Sequence, residues 1–314
     1  MEDMTPEIRK LRGISSEAYE HPMARSALRM LKRIPGIDVF LKAQSGLINE
    51  PVLRLEYLSS AVKVTSRQFA PLHEALEDAV NILDLDDAPE LFVQSSPVLN
   101  AMTIGMKRPI IVIHSALVDL MDESEFQWVL GHELGHAMSG HALYTTILLA
   151  GINAGVSAVA ESLPIAGTGV ALASEAIRLG FWDLHRKMEF SGDRAGLLVG
   201  RDPAAAIRAL MKLAGGANLR RMSPEAFIEQ ALEYQARGGS DQLRRFLLTK
   251  ELSHPVPVTR ALEIKKWAEG GEYQAVIKGR YPLRAGYQRS VGGAVYAVAG
   301  TRSRQPLKGP LSEF

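Results

Sequence analysis

Apolar residues recur along this chain with two different periods, and the switches between them mark out its elements. Met23, Ala27, Leu28 and Leu31 keep helical spacing until Pro35-Gly36 ends the segment. The runs Val52 to Leu58 and Ala61 to Val64 read as short strands. A helix is predicted over Phe69 to Leu83, with Leu72, Leu76, Val80 and Leu83 on one face. After a turn at Asp84, Asp86, Asp87 and Pro89, strands are expected at Glu90–Gln94, Ala101–Ile104 and Pro109–His114. Ser115 can cap a helix over Ala116 to Met121, and Asp122-Glu123 precede a longer helix that begins near Ser124.

The second half reads as helical. Ala142 to Ala160 is uncharged but diluted by Gly, Ser, Thr and Asn, and Ser162 to Ser174 is too short to span a bilayer. Together they predict a buried or surface-docked hairpin over 142–182 with no integral membrane segment, leaving peripheral membrane contact open. Ala173 to Gly196 follows as a helix, and Asp202-Pro203 opens another that stops at Gly215-Gly216. Further helices are expected from Ser223-Pro224 to about Arg237, over Asp241–Leu248 and over Val258–Ala268. Beyond Gly270 the patterning weakens, with only a small strand within Ser290 to Ala299 and a flexible end. The expected organisation is an N-terminal helical and strand extension (1–65), a main domain (66–270) and a Gly/Arg-rich C-terminal segment (271–314).

The 314 residues carry 36 basic and 35 acidic side chains, a net charge of +1 that gives no footprint for nucleic acid. There is no cysteine, which removes disulfides, thiolate metal sites and cysteine nucleophiles and fits a reducing compartment. The start, Met1-Glu2-Asp3-Met4-Thr5-Pro6-Glu7, is acidic and has no apolar core, so it does not read as a signal peptide. The expected localisation is cytoplasmic or membrane-peripheral.

Candidate chemistry sits on the helix after Ser124. In His132-Glu133-Leu134-Gly135-His136 two imidazoles four residues apart project from one helical face and can hold one metal ion. Glu133 lies beside that stripe, where its carboxylate reaches a water on the metal without occupying the metal. Phe126, Val129, Leu130 and Leu134 supply the helix with an apolar face. A catalytic zinc needs a third protein ligand. The longer histidine signature fails, because Ser139 and Ala142 stand where it requires Gly and His. An acidic ligand from the later helix remains, and periodicity alone does not choose among Glu175, Glu189 and Asp193. His141, near the end of the motif helix, reads more readily as structural than as functional.

Four stretches then resemble one family, the zinc metallopeptidases related to HtpX and to the CAAX prenyl endopeptidase. They are Asn100-Ala101 with Gly105; Glu125 to His136 followed by Gly140-His141; Arg186-x-x-Glu189-x-x-x-Asp193-x-x-Gly196; and Ser253-His254-Pro255 with Arg260. The resemblance covers about residues 100–260 and implies an α+β zincin-like fold, mainly helical, with a small mixed sheet beside the motif helix. It implies one zinc per chain held by His132, His136 and Glu189, with Asp193 orienting a ligand or the helix. Gly192 and Gly196 replace the family's alanines, at a cost to helix stability of about 1 kcal/mol each. The mild character of the 142–182 stretch places the resemblance nearer the soluble branch.

The expected activity is endopeptidase cleavage of a polypeptide by metal-activated water, with Glu133 as general base. His254 is the first choice to stabilise the oxyanion, with Arg260 and Arg194 behind it. Asn100, Ala101, Met102 and Thr103 are expected to border the cleft and bind an extended peptide by strand addition. The competing expectations are a zinc-stabilised peptide-binding or chaperone-like protein, and a latent peptidase covered by its hairpin or its C-terminal segment.

Overall fold

The computed structural model describes residues 10–150, 168–237, 256–287, 290–291 and 294–295. The helix expected over Asp241–Leu248, and His254, lie outside the described residues.

The N-terminal part is helical: α1 (Pro22–Leu31), α2 (Ile37–Leu47) and α3 (Glu50–Ser60). The strand expected at Val52–Leu58 is therefore α3. Leu53, Leu55 and Tyr57 alternate with Arg54 and Glu56 and so imitate a strand, but the local start signals are those of a helix. Asn49 caps it by accepting from the Val52 N–H, and Pro51 sits in the first turn. Only Tyr57 is buried, so no sheet claims the alternating face.

Next come β1 (Val62–Lys63), α4 (Ala70–Ile82), β2 (Glu90–Gln94), β3 (Ala101–Ile104) and β4 (Ile110–His114). The three strands expected here are found. They form one small mixed sheet of order β1-β2-β4-β3, with β2 parallel to β4 and the other two pairs antiparallel. Strand alternation gives the sheet two apolar faces. Leu91, Val93, Ile111 and Ile113 pack with α4 and the motif helix. Phe92, Ile104, Ile110 and Val112 pack with Tyr57 of α3. The central strands are thus covered on both faces, and β3 is left at an edge.

The remaining helices are α5 (Ser115–Leu120), α6 (Glu123–Met138), α7 (His141–Ala150), α8 (Thr168–Gly200), α9 (Pro203–Gly215), α10 (Pro224–Ala236), α11 (Pro257–Glu269) and α12 (Gly271–Ile277). The protein is mainly helical. Helix α12 was not foreseen; Tyr273 and Val276 are buried in the main core, so the last segment begins as part of the body of the protein. Residues 290–291 and 294–295 pair as a small antiparallel ladder.

Helices α6 and α8 lie unusually close, and small residues explain it. A Cβ on Gly135 would collide with Ala195 Cβ, one on Gly131 would come 2.6 Å from Val199, and one on Gly196 2.5 Å from the Trp128 carbonyl. Gly196 is therefore a packing requirement more than a helix-weakening departure. The hairpin arms α7 and α8 pack through Leu143, Tyr144, Ile147, Ile177 and Phe181 against Leu31 and Phe40 of the N-terminal helices. Among the described residues, no helix is long and apolar enough to cross a membrane.

Candidate metal centre

The start of α6 is firmly held. Asp122 caps it by accepting from the Glu125 N–H, and the Glu125 carboxylate accepts from the Asp122 N–H in return at 2.9 Å, a capping box. Glu125 is fully buried and takes Lys212 Nζ at 2.5 Å. At the other end, the Tyr19 hydroxyl donates to the Gly135 carbonyl at 3.1 Å, tying the N-terminal segment to the back of the helix. Neither contact could be foreseen from spacing, since the partners lie 87 and 116 residues apart.

Between these anchors, His132 and His136 turn their Nε2 atoms towards each other at 3.0 Å. Helix α8 brings Glu189 across from them. Its Oε1 lies 3.3 Å from His136 Nε2 and its Oε2 3.6 Å from His132 Nε2. Donors held roughly 2.0–2.1 Å from a tetrahedral zinc-sized ion lie about 3.3–3.4 Å apart. The three side chains stand at close to that separation, and one donor atom from each lies within 4.8 Å of the other two. Among the described residues, this is the group of acidic and imidazole side chains close enough to hold a metal ion. All three are buried.

The electrostatics favour a cation. Glu133, Glu189 and Asp193 are buried together, with the Arg260 guanidinium as the positive group among them. Burial opposes a charge on His132, but its contacts with Asp193 and Glu189 outweigh that and push the imidazole up to about 9. Burial, assisted by His136, holds His141 well below its ordinary value.

The family model for peptidase family M48 matches residues 66–268 of the chain. The chain belongs to this family. The plastoglobule-localized metallopeptidase 48 of Arabidopsis thaliana is 36% identical over 277 residues, covering 85% of this chain and 77% of the plant protein. A protease HtpX homolog of Tropheryma whipplei is 29% identical over 192 residues, 54% of this chain and 66% of the bacterial one. A protease HtpX of Xanthomonas oryzae pv. oryzae is 28% identical over 207 residues, covering 58% and 67% of the two chains. No solved structure matches. The resemblance to HtpX read from four stretches of sequence is borne out, and the protein is a metallopeptidase by family.

In this peptidase Asp193 accepts from His132 Nδ1 at 3.1 Å, which leaves Nε2 to face the centre. Arg260, from α11, clamps Asp193 with Nε at 2.9 Å and a terminal nitrogen at 2.5 Å. Its other terminal nitrogen lies 3.3 Å from Glu189. His136 Nδ1 faces His141 Nδ1 at 3.0 Å, so His141 supports a histidine of the centre. Glu175 is exposed, hydrogen-bonded to Arg178, and fourteen residues before Glu189 on the same helix, about 21 Å along its axis. Arg194 is a correction: its guanidinium lies over the Trp267 ring at 5.0 Å and 3.6 Å from Glu272. One residue beyond Asp193, it leaves the helix about 100° further round, away from the centre. Gly192 is also better explained than by its sequence alone, since a Cβ there would come 2.7 Å from the His132 ring.

A cleft of about 340 Å³ opens onto this centre. Asn100 and Ala101 line it, as do Leu99, Leu117, Trp128, Val129 and Leu213, with His132, Glu133, Glu189 and Arg260 at the polar end. Trp128 precedes His132 by one helical turn, so its place on the same face was readable from spacing. The Met102 side chain packs on the opposite face of the sheet, with Phe92 and Val112. Alternation along the strand is the reason. Thr103 points inward and reaches Glu133.

Proposed function

We propose that this peptidase is a zinc-dependent endopeptidase of zincin-like fold, with zinc held by His132, His136 and Glu189. The observation that carries the reading is the convergence of three buried donor atoms with an adjacent carboxylate, Glu133, at the polar end of one cleft. Zinc, when bound, lowers the pKa of a water in its open position and polarises the scissile carbonyl. Glu133 accepts the proton of the attacking water and returns it to the departing amine. Asp193 holds His132 in the tautomer that presents Nε2, and Arg260 holds Asp193 in turn. Arg260 is engaged with two carboxylates and Arg194 with Glu272, which favours His254 as the oxyanion donor on the strength of the Ser253-His254-Pro255 resemblance.

The substrate is an extended polypeptide lying along the edge of β3, at Asn100 to Thr103. The Asn100 carbonyl accepts from the His114 N–H, so residues 100, 102 and 104 turn their amides towards β4. Those of Ala101 and Thr103 then face away from the sheet, and a peptide can pair at Ala101, which is partly exposed and lines the cleft. The apolar walls at Leu117, Trp128, Val129 and Leu213 suit an apolar side chain beside the scissile bond.

The test is Glu133→Gln in the full chain. Zinc content should stay at one per chain while casein cleavage falls by at least about 100-fold, the lower end for a general base. An unchanged rate would overturn the base assignment. A wild-type protein that binds zinc and peptide without cleaving would favour the zinc-stabilised binding protein.

A further inference from the structure

Thr103 is the third residue of β3 and only 2% exposed. Its hydroxyl lies 2.7 Å from Glu133 Oε2 and 3.0 Å from the Glu133 carbonyl oxygen. A hydroxyl has one proton to give, and the shorter contact is to the carboxylate, the stronger acceptor. Among the described residues this is the side-chain hydrogen bond that the Glu133 carboxylate receives. Glu133 is itself buried, so its rotamer is set by what it touches. Threonine suits the task because branching at Cβ leaves its hydroxyl few directions to point.

The same residue lies on β3 two positions after Ala101, whose outward amide is where the substrate is proposed to pair. We infer that Thr103 is a positioning residue: it fixes the Glu133 carboxylate relative to the strand edge that aligns the peptide, so that base and scissile bond share one frame. The inference rests on the reading of Glu133 as general base. It goes beyond that reading by giving the strand a part in placing the base as well as the substrate. A purely structural threonine would satisfy its hydroxyl on the Glu133 carbonyl alone, and its loss would be felt in stability and not in turnover. A well-placed general base contributes roughly 10²- to 10⁴-fold, so loosening it while keeping it costs part of that.

The experiment compares the zinc-loaded wild type with Thr103→Val, Thr103→Ser, Glu133→Gln and the Thr103→Val/Glu133→Gln double variant. The substrate is a fluorogenic peptide built on a casein site that the enzyme cleaves. Thr103→Val keeps shape and β-branching, and should lower kcat about 10- to 100-fold with KM within about twofold and zinc content unchanged. Thr103→Ser should restore kcat to within about threefold. In the Glu133→Gln background, Thr103→Val should cause no further loss, because the residue acts through that carboxylate. Full activity in Thr103→Val, or an equal loss in the Glu133→Gln background, overturns the inference while leaving Glu133 as the base. Inactivity of the wild type, or full activity of Glu133→Gln, instead defeats the reading on which it rests. Independently of turnover, a crystal structure of zinc-loaded Thr103→Val decides the matter: a displaced Glu133 carboxylate supports the inference, and an unmoved one overturns it.

Discussion

The substitution Asp193→Asn would test the support of the metal centre more sharply than loss of any ligand. Asp193 is 2% exposed and its two oxygens serve three donors: His132 Nδ1 at 3.1 Å, Arg260 Nε at 2.9 Å and an Arg260 terminal nitrogen at 2.5 Å. The replacement amide keeps the volume but offers one oxygen and one NH2 group. If the oxygen stays with His132, the NH2 group faces the guanidinium, donor against donor. If the amide turns over, it donates to Nδ1 and drives the imidazole proton to Nε2, the atom that must be bare to bind metal. Either outcome costs metal affinity. Loss of such an orienting partner weakens binding about 10- to 100-fold, or about 1.4–2.8 kcal/mol. Breaking the buried pair also destabilises the metal-free fold. About 3 kcal/mol is expected, the low end for such a loss, because Glu189 remains 3.3 Å from Arg260. At about 2 °C per kcal/mol for a chain of this size, the Tm should fall by about 6 °C. Zinc competition against a chromogenic chelator and thermal unfolding of the apoprotein measure the two effects. Zinc affinity within threefold of wild type, together with an unchanged Tm, would refute the reasoning.

Two further predictions concern stability. Lys212→Met removes the ammonium partner of the fully buried Glu125 and leaves Arg208 3.6 Å away as its remaining cation, so it should cost about 3–5 kcal/mol in urea unfolding. Adding Glu125→Gln should recover much of that; a single variant within about 1 kcal/mol of wild type contradicts the account. Glu263 is held down to about 2, first by its contact with His21, with burial opposing and Lys266 assisting. Because the fold favours its charged form, that contribution is complete above its ordinary value of 4.5 and fades as the pH falls towards 2. The stability advantage of wild type over Glu263→Gln should therefore shrink across that window, read as urea midpoints; a pH-independent gap would exclude the linkage.

What could be read without the structure was local. The strands at 90–94, 101–104 and 110–114 and the helix from Ser124 declare themselves through period and capping, signals carried within a few residues. The same locality explains the errors. Val52 to Leu58 alternates as a strand does, yet no partner strand meets it. Helix α12 spans only seven residues, too short to show a period, although Tyr273 and Val276 enter the core.

By itself the sequence determined that two imidazoles and a carboxylate share one turn of helix, while the resemblance implied Glu189 as the acid that joins them. Only the tertiary structure decided the rest of the centre. Whether Glu175, Glu189 or Asp193 meets the histidines depends on where α8 crosses α6, and that crossing is set by glycines and alanines that allow the two backbones to approach. The clamp of Arg260 on Asp193 joins residues 67 apart, and the hold of Thr103 on Glu133 joins residues 30 apart. A helix fixes the direction of its side chains through its own period, but the groups they meet are fixed by packing, which no short stretch of chain contains.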